Sequence, residues 1–148
     1  MSQIREVSYS VSIAAPAEKV WRKICAPCSI LEWNARIVQC ESRTNGQGQI
    51  VRDYVVAPGG EGAPMMTETE LRRSDPIMTI TYFVEMVGLP IQEYVAQILV
   101  TPAGETDCTA EIRSRFVDLE VGIDAGQLVK DFYSVGLDRL AELMVVSD

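Results

Sequence analysis

The sequence predicts an α+β domain in which one antiparallel sheet is covered on one face by a single long C-terminal helix. Three observations predict it. Segments of strand length, alternating or continuously apolar, recur seven times between turn signals. From residue 37 onward most connections between them are of hairpin length, which makes neighbours antiparallel. From about Asp124 to Val145 the apolar spacing becomes helical. One long helix covers only one face of such a sheet, which sets the class.

Each element has its own signal. Val7, Tyr9, Val11 and Ile13 alternate with Ser8, Ser10 and Ser12, the pattern of a strand with one buried face. Ala15-Pro16-Ala17-Glu18 opens a helix, with Pro16 suited to a first turn and Glu18 complementing the positive helix end. Val20, Trp21 and Ile24 form its apolar face, and Pro27 stops it. A second short helix is expected over Ser29 to Asn34, where Ile30, Leu31 and Trp33 are apolar. Ile37 to Cys40 begins a strand, Asn45-Gly46-Gln47-Gly48 turns the chain, and Ile50 to Val56 returns. Ala57-Pro58-Gly59-Gly60-Glu61-Gly62-Ala63-Pro64 is too rich in Gly and Pro for regular structure and reads as a mobile loop. Met65 to Arg73, Ile77 to Met86 and Ile91 to Thr101 read as three more strands, joined by Ser74-Asp75-Pro76 and Val87-Gly88-Leu89-Pro90. Pro102-Ala103-Gly104-Glu105 turns into the last strand, Asp107 to Val117. Asp124 is a fitting N-cap for the long helix, on which Leu128, Phe132, Val135, Leu140 and Leu143 recur at helical spacing.

Residues 1–148 fit one domain, a length that buries about 70 % of the surface exposed in the unfolded chain. No repeat or low-complexity tract divides it. A formal charge of −8 repels phosphate backbones and anionic membranes, so nucleic acid and membrane insertion are not expected. No apolar run approaches the ~20 residues of a membrane span. Met1 to Val11 lacks the basic start and apolar centre of a signal peptide, so a cytoplasmic location with four reduced cysteines is the expectation. The chain has no histidine. That excludes Ser-His-Asp and Cys-His nucleophile systems and removes the commonest metal ligand. Cys25 and Cys28 have the Cys-x-x-Cys spacing, but no thioredoxin-like pattern surrounds them, and Cys40 and Cys108 lie on separate strands. Small buried residues are the better reading; no metal and no cofactor is expected. Composition assigns no oligomeric state.

Four stretches, in this order, carry a resemblance. They are Ala15-Pro16-Ala17-Glu18-Lys19-Val20-Trp21, the segment from Trp33 to Cys40, the Gly-Pro loop at 57–64, and Gly88-Leu89-Pro90-Ile91-Gln92-Glu93-Tyr94. The chain resembles the START/Bet v 1-like superfamily over nearly its whole length. Within it, the chain resembles the small bacterial polyketide cyclase/dehydrase-like branch, to which the plant abscisic acid receptors are also similar. The resemblance implies a helix-grip fold: a curved seven-stranded antiparallel sheet around the C-terminal helix, two short helices after the first strand, and a ligand cavity between sheet and helix. It implies no single activity, since members bind lipids, carry hormones, cyclise polyketides or act as cochaperones. The two loops at 57–64 and 88–94 sit where the receptors carry their gate and latch. Relatives often have Trp-His-Pro where this chain has Trp33-Asn34-Ala35, and the receptors hold a ligand carboxylate with a lysine nearby. Asn34 keeps hydrogen-bonding capacity without charge, so a ligand hydrogen bond is expected of it rather than proton transfer or carboxylate capture.

The resemblance places Glu68, Tyr82 and Tyr94 at cavity positions. An inward Glu68 would accept a ligand hydroxyl, and burial would raise its pKa into acid–base range; otherwise it is one more solvated strand glutamate beside Glu70. Tyr82 and Tyr94 offer a ring and one hydroxyl each, for a ligand or for ordinary packing. At Glu111 two arguments conflict. Alternation with Ala110, Ile112 and Phe116 sends Glu111, Arg113 and Arg115 outward, whereas alignment with the receptors sends Glu111 inward. Leu128, Phe132 and Gly136 share a helical stripe that roofs the cavity in the family. Gly136 costs roughly 1 kcal/mol against alanine there, which either ligand room or close packing explains. Glu68, Tyr82, Tyr94, Leu128 and Phe132 are expected around one enclosed space of roughly 300 Å³ or more.

Three functions remain open. The first is binding of a small, mostly apolar organic molecule, lipid- or polyketide-like. The second is a polyketide cyclase/dehydratase-type lyase, with Glu68 as acid or base and Tyr82 or Tyr94 orienting a carbonyl. The third is a protein-interaction domain that uses the two loops at the cavity mouth.

Overall fold

The computed structural model describes residues 2–57 and 59–146. Pro58, in the expected Gly-Pro loop, lies outside them. The chain runs β1 (Gln3–Ile13), α1 (Ala17–Cys25), α2 (Ile30–Trp33), β2 (Ile37–Thr44), β3 (Ile50–Val56), β4 (Met65–Ser74), β5 (Thr79–Val87), β6 (Ile91–Pro102), β7 (Cys108–Asp118) and α3 (Ala125–Val146). The seven strands form one sheet in the order β1-β7-β6-β5-β4-β3-β2, and every pairing is antiparallel. The first and last strands pair across the whole length of β1, which ties the two ends of the chain together. This is the helix-grip architecture. Among the described residues no helix is long and apolar enough to cross a membrane.

The strands follow the period-two pattern except where bulges reset it. On β7, Cys108, Ala110, Ile112, Ser114, Phe116 and Asp118 are buried, so simple alternation holds. On β6 the register shifts between Gln92 and Val95. Gln92 and Glu93 are both exposed, and Glu93 takes a left-handed φ of 51°. This extra residue turns Tyr94, Ala96, Ile98 and Val100 to the buried face that Ile91 already occupies. A second bulge between Glu70 and Arg72 follows Met66, Glu68 and Glu70, which all face inward on β4.

Asp124 caps α3 as expected: its side chain accepts the Gln127 N–H at 3.1 Å. The helix packs against β1, β7 and α2. Its most buried face runs through Ala125, Val129, Tyr133, Leu137, Leu140 and Met144. Of the expected stripe, Leu140 lies on this face, while Leu128, Phe132, Val135 and Leu143 are only half-buried and flank it. The displacement is one residue, about 100° around the helix. Leu128 and Phe132 are more apolar than Tyr133, and that concealed it.

Gly136 is explained by packing. A Cβ there would lie 2.7 Å from Asn34 Nδ2 and 3.1 Å from Trp33 Cζ3. The missing side chain lets α2 press its indole ring against α3. Asn34 Nδ2 then donates to the Phe132 carbonyl at 3.2 Å, while its Oδ1 accepts the Arg36 N–H. Asn34 is 2 % exposed with both ends bonded, so its first role is to join α2 to α3.

The cysteines correct the expectation that all four are reduced. Cys28 and Cys40 form a disulfide, with Cα atoms 5.7 Å apart. Cys25 and Cys108 are free thiols. The Cys-x-x-Cys pair is therefore split, one member bonded to β2 and the other unbonded. Sequence spacing gave no sign that the turn before α2 lies beside β2.

Candidate functional site

The inner faces of β3 to β7, together with α2 and the middle of α3, enclose a chamber. Its walls are mainly Trp33, Ile80, Val84, Ile98 and Ile112, with tyrosines between them. The free space is about 60 Å³. A second space of about 50 Å³ lies nearer the two loops, bounded by Arg36, Val56, Met86, Leu89 and Leu128. Met66, Tyr94 and Phe132 border both and form the partition. The expected single cavity of ligand size is thus two small ones. Large side chains fill the difference: four tyrosines, Trp33 and Phe132 project into a space that smaller residues would leave open.

The expected residues divide accordingly. Glu68, Tyr82, Asn34 and Gly136 border the inner chamber, Leu128 borders the outer one, and Tyr94 and Phe132 stand between. Glu111 belongs to neither. It is half-buried on the opposite face of β7, opposite Ser10 and Leu99, and Ile112 takes the inward position. No bulge interrupts β7, so alternation decides the case against the alignment.

Glu68 is 9 % exposed, and its Oε1 accepts the Tyr54 hydroxyl at 2.6 Å. Burial pushes its carboxyl from the usual 4.5 up to about 7, against the opposing pull of the Tyr54 hydrogen bond and of Arg52. The rise means that this acid gains and loses its proton near neutral pH. Two residues along, Glu70 is equally buried but sits between two guanidinium groups. Arg52 Nη1 lies at 3.0 Å and Arg73 Nη2 at 2.7 Å from its Oε2. The two carboxyls share a strand face but differ in partner: Glu68 has a phenol, Glu70 has two cations.

A second polar group borders the same chamber. The hydroxyls of Tyr94 and Tyr133 are hydrogen-bonded to each other, and Ser114, whose Oγ donates to the Val7 carbonyl at 3.3 Å, lies near both. Burial pushes both phenols far above their ordinary range, and it does the same to Tyr82, helped by the nearby Glu68 charge. All three phenols therefore stay protonated. Tyr94 also packs its ring on Phe116, centroids 5.4 Å apart and tilted, a pairing worth about 0.5–1.5 kcal/mol. The site is a largely apolar chamber lined by one titratable acid and by fixed phenols.

Sequence reasoning missed Arg52, Tyr54, Glu70 and Tyr133. Arg52, Tyr54 and Val56 share parity on β3, so the aromatic Tyr54 pointed to the buried face. An arginine and a glutamate on that face read as solvent-facing unless each is known to have the other. No group of three or more potential metal ligands lies together among the described residues.

None of the curated protein sequences compared with this one matches it. Solved structures do. An uncharacterized protein from Bacillus thuringiensis superimposes with a TM-score of 0.80 at 22 % identity, over 95 % of this chain and 99 % of that one. The ZhuI aromatase/cyclase from Streptomyces sp. R1128 gives 0.79 at 16 % identity, over 97 % and 94 %. Norcoclaurine synthase from Thalictrum flavum, in complex with dopamine and hydroxybenzaldehyde, gives 0.72 at 14 % identity, over 99 % and 90 %. At these identities the likeness is one of fold. The sequence itself matches a family profile from residue 5 to residue 145, and the chain belongs to that family, polyketide cyclase/dehydrase and lipid transport.

Proposed function

We propose that this protein reversibly binds a small, mostly apolar organic molecule, lipid- or polyketide-like, between the sheet and α3. The observation that carries the reading is Glu68, a buried acid that accepts the Tyr54 hydroxyl on Oε1 and borders a largely apolar chamber. Core packing alone gains little from an acid there, since burying a polar group costs free energy that a methylene would not. A ligand hydroxyl would recover part of that cost. The ligand would reach Glu68 through the outer space, turning the flexible Met66 and the half-buried Phe132 aside so that the two spaces merge. Native mass spectrometry of gently purified protein tests this. A bound organic mass of a few hundred daltons, released on denaturation, is the expected result; protein at apo mass that also takes up no apolar probe defeats it.

A second reading has its own support. A carboxyl that titrates near pH 7 beside permanently protonated phenols can move a proton while Tyr82 holds a carbonyl oxygen. It would make the protein a cyclase or dehydratase. Glu68→Gln separates the two readings: a binder keeps most of its affinity, while an enzyme loses about 10²-fold or more in turnover with binding retained.

A further inference from the structure

The Cys28–Cys40 disulfide lies in the chamber wall. Cys28 itself borders the inner space, as do Ser29, Ile30, Trp33 and Asn34 immediately after it. The bond spans 12 residues and encloses all of α2. α2 is a single turn of four residues without a side-chain cap. Its attachments include the Trp33–Gly136 packing, the Asn34 bond to Phe132, Ser29 Oγ donating to the Lys23 carbonyl, and the Lys23–Glu32 ion pair at 2.7 Å on the exposed side. β2, at the other end of the bond, is the edge strand and is largely exposed. Both cysteines are half-buried, and Ala26, Pro27, Val38 and Gln39 beside them are exposed, so a reductant can approach.

We propose that Cys28–Cys40 is a redox-controlled tether: closed, it fixes α2 as the chamber wall, and open, it frees α2 to move and admits ligand faster. The opening step is a two-electron reduction. An external dithiol attacks one sulfur, the Cys28–Cys40 bond breaks, and the resulting mixed disulfide is resolved by the second thiol of the reductant. The protein gains two thiols and the reductant becomes a disulfide. Internal exchange by Cys25 is disfavoured. Cys25 ends α1, where the helix dipole opposes a thiolate, and burial raises its pKa further. The bond therefore responds to the surroundings rather than to its neighbour. A reducing compartment holds it open and an oxidising one holds it closed. The ligand consequence rests on the binding function proposed above; the tether does not.

Hydrogen exchange and a dye test the two parts separately. Air-oxidised protein, unfolded without reductant, should titrate two thiols, Cys25 and Cys108; four thiols would overturn the proposal. Amides from Ile30 to Ile37 should exchange about tenfold or more faster in dithiothreitol-reduced protein and in a C28S/C40S variant than in oxidised protein. Amides of β7 should keep their rates, and C25S should behave as wild type. Equal exchange at α2 in the two redox states overturns the tether. So does an equal rise in β7, because the bond would then only staple the whole fold. The neutral fluorophore N-phenyl-1-naphthylamine should associate about tenfold faster with the reduced protein. An exchange difference without any dye uptake would refute the binding function and the ligand consequence but leave the tether standing.

Discussion

Replacing Glu68 by glutamine should make the protein more stable at pH 8 and slightly less stable, by up to roughly 1 kcal/mol, at pH 4.5. The reasoning is linkage. The folded pKa of Glu68 lies above its unfolded value, so the folded state binds the proton more tightly. The group's favourable contribution is complete below about pH 4.5. It is lost as pH rises through about 7, because ionising the buried carboxyl is then a cost that unfolding relieves. At about 1.4 kcal/mol per tenfold change in proton affinity, a rise from 4.5 to about 7 corresponds to roughly 3 kcal/mol. Glutamine keeps the shape, and its carbonyl can still accept the Tyr54 hydroxyl, but its amide must find an acceptor. That need returns roughly 1 kcal/mol. A net gain of roughly 2 kcal/mol at pH 8 is expected, or about 4–8 °C in Tm for a chain of this size. Urea unfolding of wild type and Glu68→Gln at pH 4.5, 6, 7 and 8 measures it. A variant less stable than wild type at pH 8, or a difference independent of pH, would refute the placement of Glu68 as an acid whose burial outweighs the pull of Arg52 and Tyr54.

Three further outcomes follow from the same geometry. Tyr54→Phe removes the hydrogen bond that holds the Glu68 pKa down, so the Glu68 carboxyl should titrate at a higher pH than in wild type, read by NMR of the side-chain carbon. Gly136→Ala should destabilise by roughly 1–3 kcal/mol in urea, because the added methyl meets Asn34 and Trp33, which are pinned by their own bonds. Cys28→Ser should cost roughly 3 kcal/mol under oxidising conditions and close to nothing in the presence of reductant, measured by paired denaturation curves.

The sheet was legible because its strands alternate and its turns are marked by Gly, Pro and Asn; the Ile50–Val56 strand matches the reading end to end. The helix was legible in position but not in rotation. Its buried face includes Tyr133, whose hydroxyl is partnered by Tyr94, brought from β6. Tyr94 itself is inward through a bulge whose left-handed residue is Glu93, not the glycine that would have announced it. Arg52 and Glu70 hide for a related reason: each violates the buried-face pattern alone, and only their pairing makes the burial tolerable. The disulfide and the size of the chamber depend on which segments meet, which local pattern does not encode. At Glu111 the plain period of two was the better guide than the likeness to relatives.

The central claim is that the chamber beneath α3 is a ligand site, and a titration with N-phenyl-1-naphthylamine tests it directly when wild type is compared with Ile98→Phe. Ile98 lines the inner space and is 4 % exposed, so the larger ring occupies room a ligand would use. Wild type should bind one dye per chain saturably, and Ile98→Phe, with an unchanged circular dichroism spectrum, should bind about tenfold or more weaker. Equal affinity in the two folded proteins, or no saturable binding by wild type, would contradict the account.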